Sequence, residues 1–215
     1  MKLICGFGVQ EIADAFLTSR EVIYKRLRRA IETLRRKKIK IEQPTPCQVS
    51  DRLESVLTTL YLLFNEGYYS TSGDTMVRKD LCEEAMRLAG LLIENEHTNT
   101  PALNALFALM CFHSSRFDAR TDDQGEPVLY GDQDTGLWDG VMIRRGEHYL
   151  SLASRGSKLS KYHLEAGIAY WHTHPGDTKE KWENILQLYN QLLVVAYTPI
   201  AALNRTFALA KANGK

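Results

Sequence analysis

Long apolar runs are missing from this 215-residue chain. No stretch of about 18 apolar residues occurs, so no membrane-spanning helix is expected. Proline is scarce: six residues, spread out, exclude a collagen-like or proline-rich disordered chain. The four cysteines, Cys5, Cys47, Cys82 and Cys111, stand 42, 35 and 29 residues apart. With no CxxC and no Cys/His pair at ligand spacing, a zinc site or a redox dithiol has no ligands. Their apolar neighbours point to buried free thiols and a reducing cytoplasm. The N-terminus meets Glu11 and Asp14 before an apolar core long enough for a secretory signal has formed. Between Gly67 and Gly73 there is no G-K-[ST], so no phosphate-cradling loop, and Arg155-Gly156-Ser157 follows no strand, so it is no nucleophile elbow. The expectation is a non-enzyme without cofactor or metal.

What is present is an ordinary globular composition, 25% charged and 44% hydrophobic, with length for one or two domains. The net charge of +1 hides a strong asymmetry. Residues 1–40 hold eleven Lys/Arg and four Asp/Glu, a charge of +7, and the remaining 175 residues hold sixteen against twenty-two, a charge of −6. Seven of the eleven head cations fall between Lys25 and Lys37. A basic head on an acidic body points the head at a polyanion.

The hydrophobic period is helical almost throughout. The expected helices are 9–17, a second running from an N-cap at Ser19 to Arg36, then 50–66, 74–95 capped by Asp74, 101–118, 136–153, 159–173, 178–195 and 199–212. A loop is expected over 119–134, with a short strand at Pro127–Tyr130. Pro44 and Pro46 mark a linker. The domains are therefore a helix-turn-helix head at 1–42, a linker at 43–49 and a helical extension at 50–215. The fold class is all-α, with a body of antiparallel, repeat-like helical hairpins. The last pairs recur every 35–40 residues or so, near the tetratricopeptide period but without its consensus.

A helix, a short break and a second helix make a helix-turn-helix plan. On the second helix, Ile23, Leu27, Ala30 and Leu34 form the expected buried stripe. The opposite face carries Tyr24, Lys25, Arg28 and Arg29, with Glu21 and Glu32. A major-groove helix needs such a face of long donors, and Arg35, Arg36, Lys37 and Lys38 extend it toward phosphates. The alternative is a basic amphipathic helix for a protein or membrane surface.

Gly6, Glu11-Ile12-Ala13 and Arg26-Leu27-Arg28-Arg29-Ala30 resemble the pattern G-x-s-x-x-E-I-A … V-x-x-R-L-x-R-A. That pattern marks domain four of extracytoplasmic-function sigma factors of the sigma-70 family. Leu62-Leu63-Phe64-Asn65-Glu66-Gly67-Tyr68, Arg78–Ala85, Asp132-Gln133-Asp134 and Trp138-Asp139 resemble the subgroup with a long, tetratricopeptide-like C-terminal extension. The resemblance implies that Tyr24, Lys25, Arg28 and Arg29 read the upstream promoter element, with promoter DNA and core RNA polymerase as partners. It implies that the extension modulates activity by contacting polymerase, a regulator or the N-terminal sigma domains. Domain two and the first helices of domain four have no counterpart here, so the chain resembles part of such a factor. Tyr24 stands where relatives often carry a cation, so promoter preference does not carry over.

The extension offers further candidates. Asp132, Asp134 and Asp139, with Gln133, are either a hard-cation site or caps for the following helix. His172 and His174, with His163, are either a zinc cluster or a frayed helix end, and two positions on a helix diverge by about 200°. Asn65, Glu66 and Tyr68 surround Gly67, which is expected either as a left-handed C-cap or in a partner-contacting cluster. Trp138 belongs to the loop motif and is a candidate regulatory contact. Leu53, Val56 and Leu57 are expected to dock on the back of the second helix. The competing overall reading is a helical protein- or ligand-binding scaffold with a basic appendage.

Overall fold

A computed structural model of the chain describes residues 8–37, 45–69, 78–122 and 124–214. Among these residues the fold is all-α. A single isolated bridge, Thr121 to Pro127, is the β pairing they contain. The strand expected at Pro127–Tyr130 does not form. Pro127 has no N–H to extend a ladder, and Tyr130 enters a 3₁₀ turn over Tyr130–Asp132. No helix among the described residues is long and apolar enough to cross a membrane.

The chain divides into two compact units, 1–85 and 86–215. The first holds α1 (Val9–Ala15), α2 (Arg20–Lys37), α3 (Pro46–Tyr68) and the start of α4 (Lys79–Glu94), within which the division falls. The expected linker is helical from Pro46 on. Pro46 starts α3 instead of ending the head, because a proline in the first turn gives up no hydrogen bond. Thr45 and Gln48 close a reciprocal capping box around it. Residues 38–44 lie outside the described part, as does Asp74, and α4 begins at Lys79. Leu57, Leu60, Leu63 and Phe64 form the buried stripe of α3. Leu53 is half-buried and Val56 exposed. α3 packs against α1.

Gly67 is not the left-handed cap. It lies inside α3, and the positive-φ glycines of the described residues are Gly125, Gly176 and Gly214. Its role is proximity. A Cβ there would stand 2.7 Å from Cys82 Sγ and 2.8 Å from the Arg78 carbonyl oxygen. The Arg78 N–H donates to the Gly67 carbonyl at 2.7 Å, and Cys82 Sγ donates to the Phe64 carbonyl at 3.4 Å.

In the second unit, α5 (Pro101–Ser114) buries every residue from Leu103 to Phe112. A helix apolar all round belongs at the centre of a core, and α6 (Gly140–Ala153) and α7 (Lys161–Trp171) pack on it. Next, α7 packs on α8 (Lys179–Val195) and α8 on α9 (Pro199–Ala212), the sequential pairing of helical hairpins. Thr-Pro opens three helices: Thr45-Pro46, Thr100-Pro101 and Thr198-Pro199, each with the threonine hydroxyl accepting a first-turn N–H.

Candidate nucleic-acid interface

The break between α1 and α2 is built locally. Leu17 adopts a left-handed φ of 48°, and the Thr18 N–H donates back to the Ala13 carbonyl at 2.9 Å, closing α1. Ser19 then caps α2 as expected: its Oγ accepts from the Val22 N–H at 3.4 Å. Hydrogen bonding at this cap holds the Glu21 carboxyl below its ordinary range.

The back of α2 is covered less than expected. Ile23 is buried and Leu27 half-buried, but Ala30 is exposed and Leu34 is 44% exposed. The cause is length: the seven residues of α1 rise about 10 Å, while α2 has eighteen. α1 therefore spans the first turns of α2 alone.

On the front, Tyr24, Lys25, Arg28, Arg29, Arg35 and Arg36 are all exposed. Eleven residues make about three full turns, so Arg35 and Arg36 stand over Tyr24 and Lys25, with Arg28 and Arg29 between. The six form one stripe. Glu32 interrupts it by accepting from Arg28 Nε at 2.8 Å, which raises the guanidinium pKa further. Both partners of that pair are solvent-exposed, so it yields readily to a stronger anion. The last turn, Arg35-Arg36-Lys37, also complements the carbonyl end of the helix dipole.

Residues 52–154 match a family of unknown function (DUF6596). An uncharacterized protein of Rhizobium meliloti (strain 1021) is 35% identical over all 215 residues. The chain spans 51% of that relative's length. No solved structure matches the chain. The family match begins within α3 and ends after α6, so it excludes α2 and includes the loop that carries Asp132-Gln133-Asp134 and Trp138.

In that loop the carboxylates act as caps. Asp134 Oδ1 accepts from the Gly136 N–H at 2.8 Å, and Asp139 Oδ1 accepts from Val141 and Met142 N–H at 2.8 and 3.1 Å, opening α6. Asp132 is exposed on its 3₁₀ turn. The histidines likewise serve the backbone: His163 Nδ1 accepts from the Ser160 N–H at 3.2 Å, and His174 Nδ1 lies 3.0 Å from the Tyr170 carbonyl. Among the described residues no three His, Cys, Asp or Glu side chains group to hold a metal. Asn65 and Glu66 are half-buried, and Tyr68 is a core residue stacked on Phe64.

A cluster around Tyr130 was not legible in the sequence. Lys181 is buried, and its Nζ donates to Tyr130 Oη at 2.8 Å and to the carbonyls of His174 and Gly176 at 2.8 and 3.1 Å. The Tyr130 hydroxyl in turn donates to the His172 carbonyl at 3.0 Å. Lys181 Nζ and the Arg116 guanidinium lie 5.1 and 5.3 Å from the Tyr130 ring centre, and the Trp138 ring stacks 6.2 Å away. Burial pushes the Lys181 pKa down and, with Arg116 and Lys181 beside it, takes His172 to about 3. Gln133 Oε1 and Trp138 Nε1 are shut off from solvent in the same loop. The cluster pins the 130–138 loop to the start of α8 across 42 to 51 residues of sequence, a separation that no local pattern signals.

Proposed function

We propose that this chain is the promoter-recognising and C-terminal part of a sigma factor, with α2 as the helix that reads the upstream promoter element. The observation that carries this reading is the single exposed stripe of Tyr24, Lys25, Arg28, Arg29, Arg35 and Arg36 on the second helix of a helix-turn-helix. Long bidentate donors at Arg28 and Arg29 suit base edges, and Arg35 and Arg36 suit the flanking phosphates. The helical extension is the modulating part, with core RNA polymerase, a regulator or N-terminal sigma domains as its partners, in the cytoplasm. Resemblance of Glu11-Ile12-Ala13 and Arg26–Ala30 to domain four supports the same assignment.

The test is a titration of duplex promoter DNA with the whole chain at several salt concentrations. The logarithm of the binding constant is expected to fall with log salt at a slope of roughly −3 to −5, as several cations displace condensed counterions. Arg28→Ala is expected to cost about 1–3 kcal/mol and to relax discrimination between promoter and scrambled duplex. Lys37→Ala is expected to weaken both duplexes alike. Equal binding of both duplexes by the unaltered chain would overturn the reading role. The scaffold alternative predicts equal, salt-dependent binding of both duplexes through the basic head, with no discrimination for Arg28→Ala to relax.

A further inference from the structure

Two carboxylates stand on α2, and one of them has no structural task. Glu21 belongs to the cap at the helix start. Glu32 stands between Arg29 and Arg35, inside the cationic stripe, where a carboxylate repels the phosphates that the stripe would bind. Arg28, Arg29, Arg35 and Arg36 all lie within one turn of it. It bonds Arg28: Oε1 accepts from Nε at 2.8 Å, with the two side chains 82% and 59% exposed. Glu32 makes no second hydrogen bond among the described residues, so Oε2 is an open acceptor on the same face. Tyr24, one turn before Arg28, completes a row of three residues spaced by four.

We propose that Glu32 is a specificity-determining residue: Arg28 and Glu32 read two neighbouring base pairs as a unit, Arg28 a guanine and Glu32 a cytosine. The inference rests on the DNA reading of α2 and deepens it. With Nε held by Glu32, Arg28 presents its two Nη groups, a fork that matches O6 and N7 of guanine. Oε2 of Glu32 needs an N–H, and the N4 amino group of cytosine offers one in the major groove. Adenine N6 offers one too, but beside the N7 acceptor, which a carboxylate cannot answer. The spacing agrees. The two head groups are 2.8 Å apart, and successive bases of a strand are about 3.4 Å apart. Charge separates base from phosphate. A phosphate has to displace the carboxylate from Arg28 and is repelled by it, whereas a base edge carries no net charge and leaves the bond in place. Arg35 and Arg36 remain for the phosphates.

The experiment is selection by the whole chain from a duplex library randomised over about 10 base pairs, one helical turn, followed by sequencing. The unaltered protein is expected to enrich guanine beside cytosine. Arg28→Ala is expected to lose the guanine. Glu32→Gln is expected to keep the guanine and to change its neighbour from cytosine to adenine by at least about fivefold, because a carboxamide pairs with N6 and N7 together. On a duplex of A·T pairs alone, Glu32→Ala is expected to bind severalfold tighter than the unaltered protein. Its salt slope is expected to steepen by about 0.9, one added phosphate contact from the released Arg28. A Glu32→Gln profile that still holds cytosine overturns the inference, and loss of guanine in Arg28→Ala then leaves the DNA reading standing. Guanine retained by Arg28→Ala overturns the paired reading. An unchanged slope in Glu32→Ala overturns the exclusion of phosphate from Arg28. A library from which the unaltered protein enriches nothing overturns the DNA reading of α2 and this inference with it.

Discussion

Gly67→Ala is expected to lower the stability of the 1–85 unit by about 3 kcal/mol, the upper range for forcing atoms into a packed interior. The added methyl would meet Cys82 Sγ at 2.7 Å, the Arg78 carbonyl at 2.8 Å and the Cys82 nitrogen at 3.0 Å. Two of these three are backbone, so no rotamer change relieves the contact. The helix start at Arg78–Cys82 has to move away, and doing so stretches the 2.7 Å bond from Arg78 N–H to Gly67 and the Cys82–Phe64 bond. Urea unfolding followed by circular dichroism measures this as a lowered midpoint. Gly90→Ala supplies the control: it lies further along α4, in the 86–215 unit, and nothing stands within 4 Å of its added Cβ. There the better helix propensity of alanine is expected to raise stability by up to about 1 kcal/mol. Equal midpoints for the two variants would overturn the account of Gly67.

Acid is expected to weaken the 86–215 unit well above the carboxylate range. His172 titrates at about 3 in the folded protein, and His113 is held well below 6.5 by burial and by Arg116, Arg120 and His172 around it. The Nδ1 atom of each ring is closed off from solvent. In the unfolded chain both rings take a proton near pH 6.5, so below that pH the unfolded state binds more protons than the folded one. Stability is therefore complete above about pH 6.5 and is lost as pH falls toward 3, by about 1.4 kcal/mol per pH unit for His172, with His113 acting in the same direction. At pH 5 the His172 ring alone amounts to about 2 kcal/mol, and His113 adds to it in the same direction. Unfolding midpoints at pH 7.5, 6 and 5 measure the slope, and His172→Gln is expected to flatten it. A midpoint that does not move between pH 7.5 and 5 would refute the assignment.

The helices were legible in the sequence because each carries its own 3.6-residue period and its own cap. Thr100-Pro101, Thr178 and Thr198-Pro199 open α5, α8 and α9 within a residue of where the pattern places them. Where two local meanings compete, the sequence alone does not choose. Proline is both a breaker and a first-turn residue, and at Pro46 the second meaning holds because Thr45 and Gln48 complete the box. Gly67 was expected for its backbone freedom and is used for its missing side chain, which depends on a helix eleven residues further on. The front of α2 was readable from period alone. Its back was not: whether Leu34 is covered depends on how far α1 reaches. The Tyr130–Lys181 cluster lies further still from any local rule, since its members belong to a loop, a helix end and a helix start.

Each compact unit also carries its own clock. Cys82 in the first and Cys111 in the second are completely buried, and burial pushes the Cys111 thiol up to about 12. Alkylation requires an accessible thiolate, so an iodoacetamide pulse at pH 8 modifies each of them only in molecules whose surrounding unit has opened. In a background with Cys5→Ser and Cys47→Ser, the mass of each tryptic fragment then reports how often each half of the chain breathes, and whether the halves open together or one at a time.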